Sequence, residues 1–242
     1  MTYCLGIKLK SGLVAIADTR ISSGTETTTA KKISLHTDEG QSLFLMTSGL
    51  RSVRDKAVTY FQEVLEETPG QNFNKLYKAV NAFGQQLRRV AEEDRVALEK
   101  AGLYFNLFTI VGGQLKDDEE HKLYLLYPEG NWVEVGENTP FVIIGNSGYG
   151  KPILNRTLTY ETSMSIALKT GFLSFDSTRV SANDVDFPID VVLYKRDSFK
   201  MIEHRFEKDD LSKVSEFWAQ ELQVALKNIP EEWMNVVLDK VK

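Results

Sequence analysis

Four residues near the start of the chain have the types needed to make a nucleophile. Thr2 follows the initiator methionine, Asp18 closes an apolar run, Lys32 begins another, and Gly49 stands where strand periodicity gives way to helical periodicity. A threonine hydroxyl is a weak nucleophile and needs a base; a chain that begins with threonine carries one on the same residue, its α-amine. That amine has an ordinary pKa of about 7.7–8.0, so part of it is neutral near neutral pH. A lysine ammonium beside it would lower the pKa of both amine and hydroxyl, and an aspartate would hold that lysine charged and oriented. A backbone N–H at a junction such as Gly49 could bind an oxyanion. Taken singly, Asp18 caps a turn, Lys32 is a solvated edge lysine and Gly49 is a positive-φ position. Taken with Thr2, they form a self-consistent set.

The elements that would position them are legible. Tyr3, Leu5, Ile7 and Leu9 alternate with Thr2, Cys4, Gly6, Lys8 and Lys10, which predicts a strand. Ser11-Gly12 is a turn signal, and "LVAIAD" reads as a strand covered on both faces. The polar "SSGTETTTA" reads as a loop, and "KKISLHT" and "SLFLMTSG" as two strands around a turn at "DEGQ". Leu50, Val53, Ala57, Tyr60, Phe61, Val64 and Leu65 then recur at helical spacing, ending at "TPGQN". A longer helix follows, with Leu76, Ala79, Val80, Phe83, Leu87, Val90 and Ala91 on its apolar stripe. Strands return through "LYFNLFTIVGGQL", a hairpin at Pro128-Glu129-Gly130, and "PFVIIGNSG". Helices near residues 149 to 157 and 160 to 176, the strands "IDVVLYKRD" and "FKMIEHRF", and a final amphipathic helix with Leu211, Val214, Phe217, Trp218, Leu222 and Leu226 complete the order. Segregated runs of strands and helices predict an α+β layered fold. No repeat or linker divides residues 1–242, so a single domain is expected. Consecutive short strands usually neighbour one another, so the four candidate residues are expected to converge.

Composition limits the alternatives. At 242 residues and 42% hydrophobic, the chain can bury a sizeable core. A net charge of -5 argues against nucleic acid as a partner. Cys4 is the one cysteine and cannot form an internal disulfide, which fits a reducing compartment. No secretory signal pattern and no bilayer-length apolar run is present, so a cytoplasmic protein without membrane contact is expected. His36, His121 and His204 lack metal-ligand spacing, and "GNSGYGK" lacks the full phosphate-loop pattern, so neither metal nor cofactor is expected. Cys4 reads as a small buried side chain.

The motifs carry a more specific likeness. Thr2, "GLVAIADTR" with Asp18 and Arg20, "KKISL" with Lys32, and "LMTSGL" with Gly49 resemble a proteasome β-type subunit of the N-terminal nucleophile hydrolase superfamily. Within it, "MTYCLGIKLKSGLVAIADTRISSG", "IIGNSGYGKPILNR" and "FDSTRVSANDVDFPIDVVLYKRDS" resemble the bacterial Anbu proteins, the ancestral β-subunits. The resemblance implies a four-layer α-β-β-α sandwich, with two antiparallel sheets between helix layers. It also implies a homo-oligomer, ring-like or an open lock-washer, acting on a peptide or amide substrate through Thr2 once Met1 is removed. The superfamily's Asp-x-x-Ser-Gly-Gly segment corresponds here to the stretch from Ser181 to Asp186, where acid and hydroxyl are in swapped order and the glycines are gone. Ser181 and Asp184 are taken as the supporting pair. The usual Gly-Ser-Gly turn is Gly145-Asn146-Ser147-Gly148, so either Ser147 or Asn146 stands at the supporting position. These departures keep two further readings open: a non-catalytic assembly or scaffold subunit, and an enzyme acting on a small-molecule amide.

Overall fold

Strand β1 (Tyr3–Leu9) turns at Ser11-Gly12 into β2 (Gly12–Asp18), and the two pair antiparallel with Cys4 opposite Ala17 and Lys8 opposite Leu13. Every residue of both strands is buried, as expected for strands covered on both faces. The computed structural model describes residues 2–23, 26–38, 40–67 and 73–241. Met1, the helix-ending "TPGQN" at 68–72, and Glu39 of the "DEGQ" turn lie outside the described residues.

Two five-stranded antiparallel sheets form the middle of the fold. The first adds β10 (Phe141–Gly145), β11 (Ile189–Lys195) and β12 (Met201–Phe206), in the order β10-β1-β2-β11-β12. The second runs β5 (Ile33–Asp38), β6 (Gln41–Gly49), β7 (Leu107–Leu115), β8 (Lys122–Leu126) and β9 (Trp132–Glu134), each strand beside the next in sequence. Cys4, Ala15 and Val192 of one sheet pack against Ile33, Phe44 and Ile110 of the other in a common core. Helices α1 (Arg51–Glu67) and α2 (Leu76–Lys100) cover the outer face of the second sheet. There Phe61 and Phe83 meet edge to face at 5.4 Å, and truncating either to Ala would cost about 3–5 kcal/mol. α3 (Lys151–Thr157) pairs with α4 (Met164–Arg179), which lies on β1 and β2. The layered α+β expectation is met.

One segment differs from the sequence reading. The threonine-rich stretch read as a loop holds a small hairpin, β3 (Arg20–Ser23) with β4 (Glu26–Thr29). Consecutive threonines are polar but β-branched, and branching at Cβ favours extended backbone. The chain also divides into two compact units, one ending at Glu207 and one from Lys208 onward. The second comprises α5 (Lys208–Lys227), a 3-10 turn at Glu232–Met234 and α6 (Asn235–Leu238). Its amphipathic stripe buries no residue: Phe217, Leu222 and Leu226 are exposed. Among the described residues, no helix is long and apolar enough to cross a membrane.

Candidate active site

Thr2 sits immediately before β1 and is 9% exposed. Its place is set through the backbone. The Thr2 carbonyl accepts the Asn146 N–H at 2.7 Å. Gly145, paired with Tyr3 across β1 and β10, has φ of +88°, and a Cβ there would stand 1.9 Å from the Thr2 oxygen. Only glycine permits that approach. The next residue is held twice: Tyr3 N–H donates to Asp18 Oδ1 at 2.8 Å, and the Tyr3 hydroxyl donates to Ser174 Oγ on α4 at 2.7 Å.

Asp18, at the end of β2, is fully buried. Its Oδ1 also accepts from Lys32 Nζ at 2.7 Å, and the same ammonium donates to the Arg20 carbonyl at 2.7 Å. Burial pushes the Asp18 carboxyl above its usual range, and the Lys32 charge offsets this only in part. The second carboxylate oxygen has no hydrogen-bond partner among the described residues. The Lys32 carbonyl accepts the Thr47 N–H at 3.3 Å, which ties the lysine's backbone to β6.

Gly49 ends β6 with φ of +150°, and a Cβ there would lie 2.3 Å from the Asn106 carbonyl oxygen. The backbone at this junction therefore stays bare. A cleft of about 310 Å³ is lined by Thr2, Lys32 and Gly49 together with Arg20, Arg51 and Arg54. Hydroxyl, ammonium and junction glycine thus share one cavity, with Asp18 bonded to the lysine.

Both members of the supporting pair lie in the turn region between α4 and β11. Ile189 is the register partner of Asp18, so the turn leading into β11 comes to the Asp18 end of the first sheet. Asp184 lies in that turn, partly buried. Burial raises its carboxyl, but nearby positive charge, Lys32 included, outweighs this and holds it below the usual range. Ser181 is exposed in the turn after α4, where its N–H donates to the Thr178 carbonyl at 3.1 Å, and neither it nor Asp184 is among the cleft-lining residues. Of the two candidates in the Gly145–Gly148 turn, Asn146 contacts Thr2 through its main chain, whereas the Ser147 carbonyl accepts from Lys151 at the start of α3.

Cys4 faces the core between the sheets, with its thiol 3.8 Å from the Thr47 carbonyl and pushed far up by burial. His121 is bonded through Nε2 to the Leu9 carbonyl at 2.6 Å. Among the described residues no three His, Cys, Asp or Glu side chains are grouped to hold a metal.

The sequence reading did not single out Arg51 or Arg54, and it named Gly145 only as part of the Gly145–Gly148 turn. The arginines had a signal. Both fall in the first turn of α1, where the helix dipole disfavours cations. Asp55 compensates, accepting from Arg54 Nε at 2.7 Å and from Arg51 Nε at 3.4 Å. The turn motif marked Gly145, but its close approach to the Thr2 carbonyl was not legible, because it joins strands that are far apart in sequence.

No protein-family model and no curated protein sequence matches the chain. Solved structures do. A Gly-1 mutant of Anbu from Hyphomicrobium sp. strain MC1 is 34% identical, with a TM-score of 0.87 over 95% of this chain and 99% of that one. The chain belongs to the Anbu family. Anbu, the ancestral β-subunit, from Yersinia bercovieri matches at 30% identity and a TM-score of 0.86, covering 94% of this chain and 97% of that one. A third Anbu structure, described as a helical assembly from Pseudomonas aeruginosa, matches at 30% identity and 0.88 over the same shares of the two chains. The Anbu fold is proteasome-like, of the N-terminal nucleophile hydrolase type, and its α+β layers with two antiparallel sheets are those described above.

Proposed function

We propose that this Anbu chain is a threonine-type peptidase or amidohydrolase working through Thr2 after Met1 is removed. In this reading Thr2 Oγ1 bonds to the substrate's carbonyl carbon while its proton passes through a water to the α-amine. The Gly49 N–H receives the oxyanion. Collapse breaks the C–N bond, and the proton carried by the α-amine goes to the leaving amine. Water then cleaves the acyl-Thr2 ester. Lys32 keeps the amine and hydroxyl pKa values low, Asp18 orients Lys32, and Asp184 adds a carboxylate near the amino terminus. The observation that carries the reading is the Asp18–Lys32 pair at 2.7 Å beside a cleft that Thr2 and Gly49 also line.

The test uses protein shown by intact mass to lack Met1. An N-terminal-threonine-directed electrophile is expected to add one equivalent at Thr2, and Thr2→Ala to add none. Protein retaining Met1 has its threonine nitrogen in an amide and is expected to be unreactive. Absence of any Thr2 adduct on the demethionylated chain would remove the proposal.

One observation favours a second reading, a non-catalytic scaffold subunit: neither Ser181 nor Asp184 is among the residues that line the cleft. Labelling separates the two. We further infer self-association in the cytoplasm, supported by the helical assembly of the Pseudomonas aeruginosa relative. Sedimentation of a strictly monomeric species would oppose it.

A further inference from the structure

The charge of the cleft is one-sided. Arg20, Lys32, Arg51 and Arg54 line it, and among its lining residues there is no aspartate or glutamate. Two of these cations are committed to the fold. Lys32 is bonded to Asp18 and to the Arg20 carbonyl, and Arg20 Nη1 is paired with Asp186 at 3.1 Å. The other two share one carboxylate, that of Asp55. Two guanidinium groups on one carboxylate leave a positive charge over at the rim. Arg54 is oriented there by donating Nη1 to the Lys31 carbonyl at 3.2 Å, and its side chain is 18% exposed. The Arg51 side chain is 61% exposed, with donors still available to an incoming group.

We propose that Arg51 and Arg54 select amide substrates bearing a carboxylate next to the scissile bond, such as a glutamyl or aspartyl residue. The proposal rests on Thr2 being the nucleophile of the same cleft. A guanidinium presents a planar fork that matches a carboxylate and stays charged at every relevant pH. An anionic substrate entering this cleft meets cations that have no acid of their own in the lining. A basic substrate is repelled by the surplus positive charge, and a neutral one leaves that charge unmet. The arrangement also explains why two arginines stand in the first turn of α1 against the helix dipole.

The experiment compares two peptidyl electrophiles on demethionylated protein, identical except for Glu or Gln next to the reactive carbonyl. A small uncharged acylating reagent serves as control, and the rate of Thr2 adduct formation is read by intact mass. The Glu probe is expected to react about tenfold or more faster than the Gln probe at low ionic strength. That advantage should shrink several-fold at ~0.5 M salt, where the Debye length falls below about 5 Å. Arg51→Gln should erase most of the ratio, and Arg51→Glu should bring it to one or below. Both changes are at an exposed side chain, so folding is expected to persist, and a thermal melt checks it. If the uncharged reagent labels Thr2 and the Gln probe keeps pace with the Glu probe, this inference is overturned and the nucleophile stands. If no reagent labels Thr2, the nucleophile reading fails and takes this one with it.

Discussion

The carbonyl oxygen of Thr2 occupies the space beside Gly145 where any other residue would carry its Cβ, 1.9 Å from that ideal position. With φ of +88° at Gly145 as well, the end of β10 serves as a bare backbone cradle for the first residue of the fold. Gly145→Ala is expected to cost about 1–3 kcal/mol through backbone strain and to slow acylation of Thr2 by displacing it. Urea unfolding and adduct kinetics read both. A variant with wild-type stability and wild-type reactivity would show that the approach is not required.

Asp18 and Lys32 form an ion pair with both partners buried. Removing one partner leaves the other charged and unmet, at a cost of about 3–5 kcal/mol. Asp18→Ala and Lys32→Met are each expected to destabilise by that order. The double variant should lose clearly less than the two losses added together. Additive losses in urea denaturation would mean that the two side chains act independently.

The pH dependence of Asp18 runs in opposite directions for stability and for reactivity. Its folded pKa is raised, so folding favours the protonated form. The stability from this group is fully present below the unfolded value of about 3.9 and is lost as pH rises through the folded value. Reactivity needs the carboxylate to orient Lys32, so Thr2 acylation should fall as pH drops through the same raised value. The acid limb of the rate profile is therefore expected above about pH 4. A limb at or below the ordinary carboxylate value would contradict this.

Asp184 has the opposite shift. Its folded pKa lies below the ordinary value, so it contributes stability above the unfolded pKa that is lost as pH falls through the folded one. Asp184→Asn should therefore be less stable than the parent near neutral pH, with the gap closing below about pH 3.9. Comparing urea midpoints at the two pH values checks it. A gap that widens in acid would reverse the sign assigned here.

The legible part of this protein is what local pattern carries. Alternation along Tyr3–Leu9 and the helical spacing from Val53 onward give the elements. The strand ends name Asp18, Lys32 and Gly49. The misreading is also local in origin. The threonines of the β4 segment are polar enough to look like a loop, yet their backbone is a hairpin strand. The final amphipathic helix, by contrast, is present as read, in α5, with no residue of it buried. Ser181 and Asp184 are three positions apart and could be paired on paper. The register of β11 against β2 brings the connection that holds both to the Asp18 end of the sheet, which spacing alone does not show.

The opening residues alone specify a hydroxyl and an amine on one threonine, a lysine and an acid to tune them, and the periodicity that seats them at strand ends, because these are properties of residue type and spacing. Tertiary structure decided the rest. Tyr3 and Ser174 touch across 171 positions, and Lys32 divides its ammonium between Asp18 and the Arg20 carbonyl. Arg51 and Arg54 of α1 come to the same cleft as Thr2. Such meetings depend on which strands pair and in what register, and that is settled by burying both sheet faces at once.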